Sequence, residues 1–155
     1  MNDADVLRRL TELGIELPPP PEALAAYVPV RVVAGLAFFA GQVPMVDGEV
    51  LHGGRLGDDV SVEQGTDAAR HGAVQALSAL RGALGTFDRI EALAQVTVFV
   101  AATAGFTQHP AVANGASELL VEALGDEGKH ARAAVGVASL PLGASVEVAV
   151  TAALS

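Results

Sequence analysis

Residues 92–100 form a run of Ala, Leu, Val and Phe interrupted only by Gln95 and Thr97. Such near-continuous apolarity predicts a strand buried on both faces. That demand constrains the whole fold, because each side of the strand must find a cover. One helical pattern starts at Ser61, where Gln64 three residues on completes a capping box and Glu63 suits the positive end of the helix dipole. Ala69, Ala73, Ala76, Leu77, Leu80 and Leu84 carry its apolar stripe, Gly72 and the alanines allow close approach, and Gly85 is placed to end it. A second helix is predicted from Pro110, a favoured first position, to Leu124, with Gly125 as its stop. Residues 28–34 and 36–40 flank Gly35 as a hairpin, and residues 131–138 and 145–153 read as two terminal strands. The stretch 47–59 is glycine-rich and reads as a loop around one short strand at 49–51.

The predicted fold class is α+β, with two helices on one face of a mixed sheet. The other face is also apolar, so the count of helices implies burial against a second copy of the chain. Residues 4–13 form a further short helix through Val6, Leu7, Leu10 and Leu13, which would alter that count if it covered the free face. Pro18-Pro19-Pro20-Pro21 follows as a stiff spacer. The chain therefore divides into an N-terminal helix with a proline-rich extension, residues 1–26, and one domain, residues 27–155.

Composition removes several function classes. A net charge of −9 with no basic stripe argues against nucleic acid as a partner. The absence of cysteine removes thiolate metal sites and cysteine nucleophiles. The acidic start Met1-Asn2-Asp3-Ala4-Asp5 lacks the order of a secretory signal, and no apolar run reaches the ~18 residues that span a membrane. A cytoplasmic location is expected. His52, His71 and His109 lack metal-ligand spacing, and Gly53-Gly54-Arg55-Leu56-Gly57 lacks the ending of a phosphate loop.

The candidate site begins with Arg132. It is the one charge in the small apolar run 131–141, and Glu147 stands alone between Val146 and Val148. A buried guanidinium needs an anion, and its planar fork suits a carboxylate or phosphate. Strand alternation places His130, Arg132 and Ala134 on one face, leaving room for a molecule the size of an amino acid. Two readings stand side by side: a structural Arg132–Glu147 pair across neighbouring strands, or a site for an anionic ligand.

The string Gly41-Gln42-Val43-Pro44, the strand Val96-Thr97-Val98-Phe99-Val100, Asn114, and the stretches Ala131-Arg132 to Leu140-Pro141 and Val146-Glu147-Val148 resemble the RidA/YjgF family. The strings starting at Asn114 and His130 are similar to a divergent subgroup of poorly defined role. The resemblance covers residues 27–153. It implies a chorismate-mutase-like fold, a homotrimer with clefts between subunits, and hydrolysis of enamines or imines of amino acids to 2-keto acids and ammonia. It implies that Arg132 grips the substrate carboxylate and that Glu147 handles the proton of the attacking water. Tyr27 would line the cleft, Gly41 offer a backbone N–H, and Asn114 stand nearby. Positioning and a proton relay suffice for an electrophilic imine carbon, so neither cofactor nor metal is implied.

Two departures matter. The family's serine before the Gly-Gln turn is Ala40, and its cysteine two residues after the arginine is Ala134. Both losses remove hydrogen-bonding groups, and His130 is the nearest candidate to replace a proton donor. The rival reading is a non-catalytic trimer that binds a small anionic metabolite. A ribonuclease reading is disfavoured by the charge.

Overall fold

Ser61 starts the longest helix as its sequence demands. Its Oγ accepts from the Gln64 N–H at 3.2 Å, and the Gln64 Oε1 accepts from the Ser61 N–H at 2.9 Å. The helix ends at Gly85, whose φ of 78° is the left-handed conformation glycine adopts without cost. A computed structural model describes residues 1–22 and 25–155. The elements are α1 (Asp3–Glu12), β1 (Val30–Val33), β2 (Leu36–Phe39), β3 (Met45–Val46), β4 (Glu49–Val50), α2 (Val62–Leu84), β5 (Ile90–Ala101), α3 (His109–Leu124), β6 (Ala131–Val137) and β7 (Val146–Leu154). The main sheet has the order β1-β2-β7-β5-β6, with β5 and β6 parallel and the other pairs antiparallel. The fold is thus α+β with a mixed sheet.

Helices α2 and α3 lie on one face. Their contact depends on missing side chains: a Cβ on Gly115 would strike the Thr66 carbonyl, and one on Gly65 would press on Leu56 and Val112. Gly72 brings α2 onto the sheet, since a Cβ there would sit 2.8 Å from Val148 Cγ2. Val96, Val98, Val100, Val146, Val148 and Val150 fill the layer beneath, all buried. The close approach expected from Gly72 and the alanines is therefore real.

The expectation that β5 is buried on both sides fails within one chain. Its alternate residues Gln95 and Thr97 face away from the helices and remain accessible, with Phe99 half-buried on the same side. Val33, Phe38 and Val135 share that open face and are 51%, 43% and 41% exposed. The residues were apolar because the face is apolar, not because this chain covers it. α1 does not cover it either. Its Val6 and Leu10 are buried in the common core, and it packs against α3.

The N-terminal arm is held to the helical layer by specific contacts. The Ser78 hydroxyl donates to the Pro18 carbonyl at 2.6 Å, and Pro20 rests where a side chain on Gly82 would otherwise be. Asp3 accepts from both Nε and Nη2 of Arg81, at 3.2 and 3.1 Å, and from the Phe87 N–H at 2.9 Å. The Arg81 guanidinium holds the Asp3 carboxyl below its ordinary range. A lowered folded-state value means the stabilisation is present at neutral pH and disappears as pH falls below ~4 through that value. Asp3→Ala is expected to cost about 2 kcal/mol at neutral pH. Thermal melts of the two proteins should converge under acid conditions, and a constant gap would remove Asp3 ionisation from the account.

Two hairpins turn on positive φ. Ala34 and Gly35 have φ of 49° and 75°, and Asp47 and Gly48 have 51° and 82°, both the paired left-handed geometry of two-residue turns. The second joins β3 to β4, a small ribbon where the sequence suggested only one short strand. Among the described residues no helix is long and apolar enough to cross a membrane.

Candidate active site

Arg132 lies on β6, the edge of the sheet, opposite Val96 of β5. Paired residues of adjacent strands face the same way, so Arg132 shares the helix-side face with Val96. There its Nη1 donates to Asn114 Oδ1 at 2.8 Å and to Ser117 Oγ at 3.3 Å, both from α3. The edge position leaves the side chain exposed, which corrects the expectation of a buried charge. No carboxylate lies within 4.0 Å of it among the described residues. Its Nε and Nη2 make no hydrogen bond there, so the fork edge that suits a carboxylate is free.

Ser117 was not picked out from the sequence. It follows Asn114 by three residues, the spacing that puts both on one helix face. His130 completes the brace. Its Nδ1 meets the Gly128 carbonyl at 2.7 Å, so that nitrogen carries the proton. The Nε2 then accepts from the Ser117 hydroxyl at 2.9 Å, and the serine oxygen is left to accept from Arg132. Both ring nitrogens of His130 are thus occupied. The candidate proton donor is thus engaged as a support for Ser117.

Glu147 lies elsewhere. β5 separates β6 from β7, and Glu147 pairs with Phe99 on the open face. Strand spacing puts the Arg132 and Glu147 Cα atoms roughly 14 Å apart, with their side chains on opposite faces. The internal Arg132–Glu147 pair does not form. The reason is the order of strands: the two consecutive strands β6 and β7 are not neighbours.

The Glu147 carboxylate sits directly over Gly41, in the space any side chain at Gly41 would take. It is half-buried and makes no hydrogen bond or ion pair among the described residues, and burial pushes its pKa above the ordinary value. The turn below is fastened on both sides. The Ala40 N–H donates to the Pro29 carbonyl and the Gln42 N–H to the Val148 carbonyl, while the Gly41 N–H between them has no acceptor among the described residues. Tyr27, Ala40, Gly41, Gln42 and Leu142 line a cavity of about 220 Å³ beside it. Tyr27 is 52% exposed, so it is a lining residue and not part of the core. Leu142, 74% exposed with φ of 58°, is a second residue that sequence reasoning missed.

The six residues predicted from sequence therefore form two groups. Arg132, Asn114 and His130 cluster on the helix side of the β6 edge. Tyr27, Gly41 and Glu147 cluster around the turn at the open sheet face. One chain does not bring the two groups together.

A family model described as "YjgF/chorismate_mutase-like, putative endoribonuclease" matches residues 7–154. The chain belongs to the RidA/YjgF family. Protein TCP17 of Trypanosoma cruzi is 42% identical over 145 residues, 92% of this chain and 90% of that protein. The crystal structure of Atu1372 from Agrobacterium tumefaciens, a protein of unknown function, is 38% identical with a TM-score of 0.92, covering 99% of this chain and 95% of that one. RidA from the Antarctic bacterium Psychrobacter sp. PAMC 21119 shares the fold at 22% identity and a TM-score of 0.60, over 86% of this chain and 93% of that one. The contrast in coverage and superposition sets this RidA/YjgF chain nearer to Atu1372 than to that RidA.

Proposed function

We propose that the protein hydrolyses a small carboxylate-bearing enamine or imine in clefts between the subunits of a homotrimer. The observation that carries this reading is the division of the site. An arginine with no carboxylate beside it among the described residues, braced from behind, stands on one sheet edge, and a carboxylate with no partner among them stands over an open apolar face. Packing the edge of one copy against the open face of the next would bring Arg132 toward the Tyr27–Gly41–Glu147 group and cover Phe38, Phe99 and Val135.

In such a cleft the free Nε–Nη2 edge of Arg132 holds the substrate carboxylate, and Asn114 and Ser117 fix its direction. Glu147 takes a proton from a water that attacks the imine carbon, forming a carbinolamine. The same carboxyl passes that proton to the nitrogen to complete the carbinolamine. It then carries the hydroxyl proton to the nitrogen as the C–N bond breaks and the C=O bond forms, leaving a 2-keto acid and ammonia. A carboxyl with a raised pKa is suited to both transfers. The Gly41 N–H is available to the developing oxygen charge.

The second reading, a trimer that only binds a small anionic metabolite, is favoured by one fact. Ala40 and Ala134 stand where the family has hydrogen-bonding side chains. Turnover of amino-acid-derived imines separates the two readings. Wild type at background rate with several such imines, but with saturable 2-keto acid binding, would leave the binder. The family description also names an endoribonuclease, a reading that a net charge of −9 disfavours.

Light scattering is expected to give the mass of a trimer at micromolar concentration. Phe38→Glu, which places a charge on the open face without touching the core, should shift that mass toward the monomer. A wild-type monomer would reject both the trimer and the shared cleft.

A further inference from the structure

A cavity of about 490 Å³ opens at the far end of β5 and β6, where the chain turns into α3. It is larger than the one beside Gly41 and lies on the same side of β6 as Arg132. It is nonetheless a separate place: Gly136 in its wall is four residues along the strand from Arg132, roughly 13 Å away.

Most of its wall is apolar, with Phe106, Val137 and Ala138 among the lining residues. Three polar side chains enter it, from three segments: Arg55, Thr103 and His109. None is well satisfied among the described residues. The Arg55 guanidinium makes one long bond, 3.5 Å from Nη2 to the Ala102 carbonyl, and has no carboxylate within 4.0 Å among the described residues. Asp59, the acid closest in sequence to pair with it after Asp58, is turned to the Arg55 backbone N–H at 2.6 Å instead. Neither the Thr103 hydroxyl nor the His109 ring has a hydrogen bond among the described residues; His109 is held edge-on by Phe106 at 5.1 Å. The ring owes its place to Gly136, where a Cβ would stand 2.5 Å from Nε2. In a chain with 18 acidic side chains against nine basic ones, an arginine without a carboxylate is not explained by scarcity. The first turn of α3 adds to the positive potential, since it carries neither an acidic residue nor a side-chain cap.

An apolar hollow with a few convergent polar groups is the usual form of a small-molecule site. We propose that this cavity is a second anion site, in which Arg55, Thr103 and His109 hold the carboxylate or phosphate of a small metabolite whose apolar body rests on Phe106 and Val137. The oxyanion is the recognised group. Arg55 supplies the charge and fork, His109 a ring N–H, and Thr103 a hydroxyl.

The test uses inorganic phosphate and malonate, added separately to the full chain at pH 7, with the His109 imidazole resonance as readout. A saturable shift with either anion is expected, and which anion binds tighter identifies the recognised group. Arg55→Gln should weaken that binding at least tenfold, whereas Arg132→Gln should leave it unchanged. No saturable shift with either anion would overturn the proposal, as would equal affinity in Arg55→Gln. Loss of the shift in Arg132→Gln would also overturn it, by placing the anion in the Arg132 cleft. If Arg55→Gln fails to fold by circular dichroism, Thr103→Val serves instead: a severalfold loss supports the site and unchanged affinity refutes it.

Discussion

Arg132→Ala is expected to lower kcat/KM for a carboxylate-bearing imine by about 10²–10³-fold, the cost of removing a hydrogen-bonded charge partner from a bound carboxylate. The protein should still fold. Arg132 is exposed on an edge strand and, among the described residues, bonds only to the neutral oxygens of Asn114 and Ser117, so its loss strands no buried charge. Arg132→Lys should recover little, because a point charge cannot reproduce the fork and reaches neither brace in the same way. Asn114→Ala should fall between, at about tenfold, since the guanidinium keeps its charge and loses its aim. The measurements are steady-state kinetics beside a thermal melt. An Arg132→Ala protein with full activity would take the arginine out of the site, and one that melts far below wild type would make its role structural.

Glu147→Gln is expected to lose about 10²–10⁴-fold in turnover while 2-keto acid affinity through Arg132 persists. The amide keeps the shape of the side chain over Gly41 and removes its capacity to carry a proton. Stability provides an independent check of sign. Burial raises the folded-state pKa of Glu147, so its favourable contribution is complete below the unfolded value of ~4.3 and is lost as pH rises through the folded value. Above that folded value the wild type carries a half-buried charge that Gln does not, and there the variant should melt no lower than wild type. The acid limb of the wild-type pH–rate profile should likewise lie above the ordinary carboxylate range and vanish in the variant. Unchanged turnover in Glu147→Gln would remove this residue from the mechanism. His130 is a poor substitute, because both of its ring nitrogens are engaged behind Ser117.

Several features were readable without coordinates because the interactions behind them are local. The Ser61–Gln64 box, the stop at Gly85 and the turn at Gly35 each depend on residues within four positions of one another. The family strings carried the fold, and the glycine at 72 announced a close contact that proved to be with Val148. The ribbon of β3 and β4 was missed although Asp47-Gly48 is a strong turn pair, because two-residue strands are too short to show alternation.

The candidate residues could be picked out from the sequence; their arrangement could not. Sequence placed β6 and β7 one after the other and invited a pair between Arg132 and Glu147. The sheet instead inserts β5 between them, since the crossover through α3 lays β6 parallel to β5 and sends β7 back along its other side. That order puts the arginine on an exposed edge facing α3 and the glutamate on the open face. Side-chain alternation can assign a residue to a face of its own strand, but it cannot say which strands lie beside it. The order of strands is decided by long-range pairing and helix packing, and with it whether a charge is buried, paired or left free for a ligand.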